Sequence, residues 1–178
     1  MVDNSFYSLT LGDSNHALTL GAGNLLAEQA DTVTLLGTQV SMGSSTTASP
    51  VWALNTGTLT AQALTGDLNM YAQLVSTISS NVTLKSIQGQ LLMADTAAVR
   101  TTGGSITVQA SGDLVVGELN ASNGSSAKVG GVALDSATGV IRASSSNSGL
   151  INAQTVSMYG YGPKVANLSS SMSAVQVQ

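Results

Sequence analysis

The chain contains no cysteine, which removes disulfide staples and thiolate metal centres together and leaves the fold independent of the redox state around it. Charge is almost as scarce. Lys, Arg, Asp and Glu make up 8% of the 178 residues, against about 25% in an ordinary soluble domain. Five basic residues face nine acidic ones, a formal charge of −4. No basic stripe is available to follow a phosphate backbone, so nucleic acid is not an expected partner. Aromatics reach only 3%, too few for the girdles of a transmembrane barrel. Every apolar run is broken by Ser, Thr or Gly far short of the ~20 residues a helix needs to cross a bilayer, so no membrane span is expected. A basic, apolar leader is missing as well, and secretion would require one already removed or a longer parent chain.

What remains is apolar and small. Hydrophobic residues make up 43% and the mean hydropathy is +0.26, a composition that favours an ordered fold over disorder. The surface must therefore be built from Ser, Thr, Asn, Gln and Gly. The length suits one domain, spanning residues 1–178.

The stretch Gly103–Gly117, GGSITVQASGDLVVG, shows how that composition is used. Two short patterns alternate apolar with polar residues, the period of strands that bury one face, and they meet at Ser111-Gly112-Asp113, where glycine offers freedom for a tight corner. The first pattern recurs with its leading inward residue at Leu9, Val33, Leu59, Val82, Ile106, Val132 and Val156. The second recurs at Leu18, Val40, Leu68, Leu91, Leu114, Val140 and Val165. A glycine lies between each pair: Gly12, Gly37, Gly66, Gly89, Gly112, Gly139 and Gly162. A third apolar patch, at Leu25-Leu26, Val51-Trp52, Leu74-Val75, Val99 and Leu150-Ile151, completes each turn. Three strand-like faces per repeat of ~24 residues predict an all-β parallel β-helix, or β-solenoid, of about seven rungs. At about 4.8 Å per rung these make a rod roughly 30 Å long. Asn120–Lys128, rich in Asn, Ser, Ala and Gly, is expected to be a loop insertion on one edge.

The segments GGSITVQASGDLVVGELNAS, GVALDSATGVIRAS and LINAQTVSMYGYGPKVANL resemble the repeats of filamentous-haemagglutinin-type large exoproteins of bacteria. The resemblance covers the whole pattern and is sharpest from Gly103 to Leu168. It implies a right-handed parallel β-helix, secreted or held at the cell surface, that serves adhesion and biofilm contact. The family's N-terminal secretion domain and its Asn-Pro-Asn-Gly signature are not in this sequence.

No residue set announces catalysis, and no catalytic residue, cofactor or metal ligand is assigned. His16 has no second His or Cys to join it in a metal site and is expected to be an exposed turn residue. Asp67 and Asp113 fall at the same corner two rungs apart, about 9.6 Å on the strand spacing. That is near an inverting glycosidase pair, but Gly-Asp is also an ordinary turn pair. Met42, Met70 and Met93 recur at one place and are expected in the core. Trp52 is expected inside the solenoid or against its flank, with an aromatic sugar platform as its alternative. The Tyr159–Pro163 corner is expected to shield the core, with sugar binding as its alternative.

Two features remain as candidates. Thr10, Thr34, Thr60, Thr83 and Thr107 occupy equivalent outward positions and form a surface ladder. Such an array resembles the ice-binding face of antifreeze solenoids, although exposed strand positions favour Thr in any case. Leu9 and Leu11 at one end and Val175 and Val177 at the other lie on uncharged terminal strands, which are open to end-to-end contact with a second copy or with neighbouring repeats. The leading expectation is thus a non-enzymatic segment or subunit of an extracellular adhesin or fibre, whose partners are itself and, on a host or cell surface, glycans. A polysaccharide-degrading β-helix enzyme is the alternative, and an ice-binding solenoid the third.

Overall fold

The computed structural model describes residues 6–21, 30–45, 50–123, 129–144, 150–160, 165–166 and 169–177, the last two stretches and residues 6–7 as backbone only. Three parallel ladders wind into a β-solenoid, and no helix occurs among these residues. The first ladder stacks Phe6–Gly12, Ala30–Gly37, Thr58–Ala63, Asn81–Ser86, Ile106–Ala110 and Gly131–Ser136, then the later parts of Leu150–Gly160 and Ser169–Val177. The second ladder has seven short strands, from Leu18–Leu20 through Val40–Met42, Leu68–Met70, Leu91–Met93, Leu114–Val116 and Ile141–Ala143 to Val165–Ala166. The third joins Val51–Leu54, Gln73–Ser76, Ala98–Arg100 and Glu118–Asn120 to the earlier part of Leu150–Gly160. About five three-sided turns are thus complete among the described residues, with partial turns at both ends. Leu25-Leu26, Gly162 and most of the 159–163 corner lie outside them.

The first ladder keeps the expected register at every rung. Leu9, Val33, Leu59, Val82, Ile106, Val132, Val156 and Val175 are paired in one unbroken column. A second column beside it runs Leu11, Leu35, Ala61, Leu84, Val108, Leu134, Met158 and Val177. From Val33 to Val156 and from Leu35 to Met158 these side chains are buried. Each apolar group is covered above and below by its equivalents, which is how a repeat too small to bury its own face becomes stable. Met42, Met70 and Met93 stack directly on one another and are buried. Trp52, 1% exposed, fills the interior of the third face in register with Leu74, Val99, Leu119 and Ile151.

Four expectations need correction. The residue that continues the second ladder is Ile141, paired with Leu114 and Val165, and not Val140. Two β-branched residues stand side by side there, and a one-residue slip reverses which of them faces the core. The corner decides it, because Leu114 N–H donates to the Val140 carbonyl as Leu91 N–H donates to that of Asp113 and Leu68 N–H to that of Gln90. The corner glycines, secondly, are mostly not there for backbone freedom. Of the described ones only Gly12 has a left-handed φ, +86°. At Gly89 a Cβ would lie 2.5 Å from Asp67 Oδ1 and 2.6 Å from the Gly66 carbonyl oxygen, and at Gly139 it would collide with Gly112 and Asp113. These glycines are needed because corners of successive rungs rest directly on each other. Finally, Leu150–Gly160 is one continuous strand instead of two patches divided by a bend. Asn120 also ends a strand of the third face, so the insertion starts after it; residues 124–128 lie outside the described part.

Candidate functional site

Outward side chains of the first ladder form columns as regular as the inward ones. Thr10, Thr34, Thr60, Thr83 and Thr107 are in register, followed by Ala133 and Ser157. Beside them Ser8, Thr32, Thr58 and Asn81 form a second polar column, with Ser105 joined to Asn81 by a 3.0 Å bond from its N–H to Asn81 Oδ1. The Thr side chains from Thr34 to Thr107 are half-buried, each flanked by its neighbours along the rod. The ladder is a narrow hydroxyl and methyl strip whose chemistry fades in the last two rungs.

The corner carboxylates have structural work. Asp67 Oδ1 accepts from Gln90 N–H at 2.8 Å, and Asp113 Oδ1 accepts from Val140 N–H at 3.0 Å. Each aspartate thus caps a free amide one rung further on, the role of an Asx side chain in a turn. Ser86 and Ser136 act from inside the same corner. Their Oγ atoms donate to the carbonyls of Gly66 and Gly112, both at 2.8 Å, and accept from Gly89 N–H and Gly139 N–H at 3.1 and 3.0 Å. A Ser-x-x-Gly spacing, SIQG at Ser86–Gly89 and SATG at Ser136–Gly139, is the sequence signal for this device.

Two close pairs of ionisable side chains stand among the described residues. On the third face Arg100 forks onto Glu118, with Nε–Oε1 at 2.7 Å and Nη2–Oε2 at 2.5 Å, while Nη1 donates to Gln73 Oε1 at 2.8 Å. The bidentate contact to Glu118 raises the Arg100 pKa against the opposing effect of burial. It clasps three rungs. At the first corner Asp13 accepts from the backbone N–H of Asn15 and of His16 and lies 3.0 Å from His16 Nδ1. The Asn15 backbone bond, with the His16 contact behind it, lowers the Asp13 pKa. His16 is an exposed turn residue, as expected. No three His, Cys, Asp or Glu side chains converge as metal ligands among the described residues.

The terminal rungs show what an uncovered column looks like. Leu9 is 37% exposed, whereas its partner Val33 is fully buried. Leu11 is half-buried against the core. At the other end Val175 and Val177 occupy the same two columns by backbone register. Tyr159 departs from expectation: it is 59% exposed and pairs in the outward column with Asp135, so it does not shield the core. The alternation Met158-Tyr159 already carried that signal.

Comparison with protein families, curated proteins and solved structures gives no match. The class that the fold defines is the parallel β-solenoid.

Proposed function

We propose that this chain is a structural β-solenoid segment or subunit of an extracellular bacterial adhesin or fibre, with no catalytic role. The observation that carries the reading is the pair of continuous columns in backbone register from Leu9 to Val175 and from Leu11 to Val177. Among the described residues, Phe6–Gly12 and Ser169–Val177 each have a ladder partner on one side only. Neither strand carries a charge or a proline, the usual guards of a free edge. The same columns therefore continue naturally into further rungs, either of a longer chain or of a second copy stacked head to tail. A head-to-tail contact of this kind does not close and generates a filament. The resemblance to large exoprotein repeats supports a secreted or surface-held location.

Sedimentation velocity and electron microscopy of the purified chain test the polymerising form. Thin rods longer than one molecule, shortened or abolished by Val175→Lys with Val177→Lys, are the expected result. A monodisperse monomer at high concentration, indifferent to those lysines, overturns self-stacking. The Thr column supports ice binding as a second reading, which a thermal-hysteresis measurement decides.

A further inference from the structure

The outward column of the first ladder nearest the first corner differs from its hydroxyl neighbours. It runs Gln62, Lys85, Gln109, Asp135 and Tyr159 on five consecutive rungs, each residue paired with the next. Two depressions lie along it. One, of about 320 Å³, is bordered by Gln109, Asp135, Ser157 and Tyr159. The other, of about 300 Å³, is bordered by Lys85, Ile87, Gln109 and Asp135. Gln109 and Asp135 border both depressions, which adjoin on either side of this pair and together make up a shallow trough across the rungs. Exposed apolar surface stands at both ends, on Tyr159 (59% exposed) and on Ile87 (40%). The side chains of Lys85, Gln109 and Asp135 make no hydrogen bond to another described residue.

We infer that this trough binds a neutral oligosaccharide lying across the rungs. An exposed tyrosine ring covers the apolar face of a sugar while its hydroxyl stays wet. The amide of Gln109 both donates and accepts, Asp135 accepts, and Lys85 donates, so a ligand rich in hydroxyl groups finds every kind of partner. The single Lys and single Asp cancel, and the chain as a whole carries −4. The trough therefore has no attraction for a polyanion and little for a polycation. Polar groups repeating at about 4.8 Å along the rod suit a ligand that is itself a repeating chain. The inference deepens the adhesin reading and rests on it for its biological meaning.

The test is an array of neutral, sulfated and uronate-bearing oligosaccharides, followed by calorimetric titration of the best neutral binder. Tyr159→Ala should weaken binding by about tenfold, and Gln109→Ala by roughly fivefold, in line with losing one stacked ring and one amide partner. Tyr159→Phe, which keeps the ring, should stay within about threefold, and Asn69→Ala on the second ladder should change nothing. Melting temperatures of all four variants should match the parent. Absence of neutral-glycan binding at millimolar concentration, binding confined to sulfated or uronate chains, or affinity indifferent to both alanine variants overturns the inference. Sedimentation on the same samples reads assembly separately: filaments without glycan binding overturn the trough alone, and glycan binding by a strict monomer overturns self-stacking alone.

Discussion

The corner between the first and second ladders and the corner that returns from the third ladder to the first solve one problem in two ways. At the first corner the inward column is built of small residues, Gly37, Ala63, Ser86, Ala110, Ser136 and Gly160, all in register. Glycines beyond it rest on the rung beneath, and aspartates cap the next rung's amides. The return corner is made differently in each turn. Thr56 Oγ1 donates to the Asp31 carbonyl at 3.0 Å, Ser80 Oγ donates to the Thr56 carbonyl at 2.6 Å and shares a 2.7 Å bond with Ser76 Oγ, and Thr101 Oγ1 donates to the Gly104 carbonyl at 3.2 Å. In Leu150–Gly160 that corner is absent, because one strand runs through. Both corners bring backbone onto backbone, since at the return corner Gly104 rests on Ser80 and Gly130 on Gly104. What differs is that the buried hydroxyls of the return corner change from turn to turn, so it can vary in length and accept an insertion.

The flats between the corners set the scale for testing this. Ile106 is fully buried and Thr107 faces outward. Ile106→Asp places an unpaired carboxylate inside the stack and should destabilise by more than about 4 kcal/mol, while Thr107→Asp should cost less than about 1 kcal/mol. Equal shifts in melting temperature for both would mean that the assigned faces are wrong. Gly139→Val comes next. Its added side chain meets the backbone of Gly112 and Asp113, which cannot rotate away, so a loss of about 3 kcal/mol is expected from overpacking. A chemical melt within error of the parent would show that the first corner has room to spare.

The two corners separate more finely under serine deletion. Ser80→Ala leaves the buried carbonyl of Thr56 without its hydroxyl partner and removes one of the bonds of Ser76 Oγ, which keeps those to the Ile78 carbonyl and N–H, a loss of about 2 kcal/mol. Ser136→Ala should cost only about 1 kcal/mol, because the column in which it stands already accepts Ala63 and Ala110. The reverse order in denaturant titrations would contradict the contrast between a packed corner and a plugged one.

This contrast also explains what could be read in the sequence. The first ladder was legible at every rung, because period-2 alternation over five or more residues leaves one choice of inward face. The second ladder was legible except at Val140-Ile141, where two equivalent apolar neighbours carry no phase and only the spacing from Ser136 and Gly139 resolves it. Leu119 was missed as the third-face member of its rung because its strand, Glu118–Asn120, has a single apolar residue. The hydroxyl plugs of the return corner were invisible, since buried serines look the same as surface ones in a chain so rich in them. The trough beside Tyr159 escaped notice for another reason. Its residues lie about one turn apart in sequence, and only the exact pairing of rungs brings Gln109, Asp135 and Tyr159 onto one line.

The smallest expected effect concerns the aspartates that cap the first corner. Asp67 and Asp113 each use one carboxylate oxygen to hold an amide of the next rung, and both side chains are only half-buried. Asn keeps an oxygen of the same reach, so Asp67→Asn and Asp113→Asn retain the hydrogen bond and lose only its charge-assisted part, less than about 1 kcal/mol. Gln90, which stands between them in the ladder, shows that the rung tolerates an uncharged residue there. Filament formation and glycan binding should be unchanged in both variants, since neither residue belongs to the stacked columns or to the trough. A polysaccharide-depolymerisation assay gives the decisive contrast. Activity in the parent that disappears in either Asn variant would make these carboxylates an acid and base pair and replace the structural reading with an enzymatic one. Unchanged assembly, unchanged binding and a melting temperature lowered by no more than a few degrees would leave them as caps, the part of the first corner that can be weakened without losing its register.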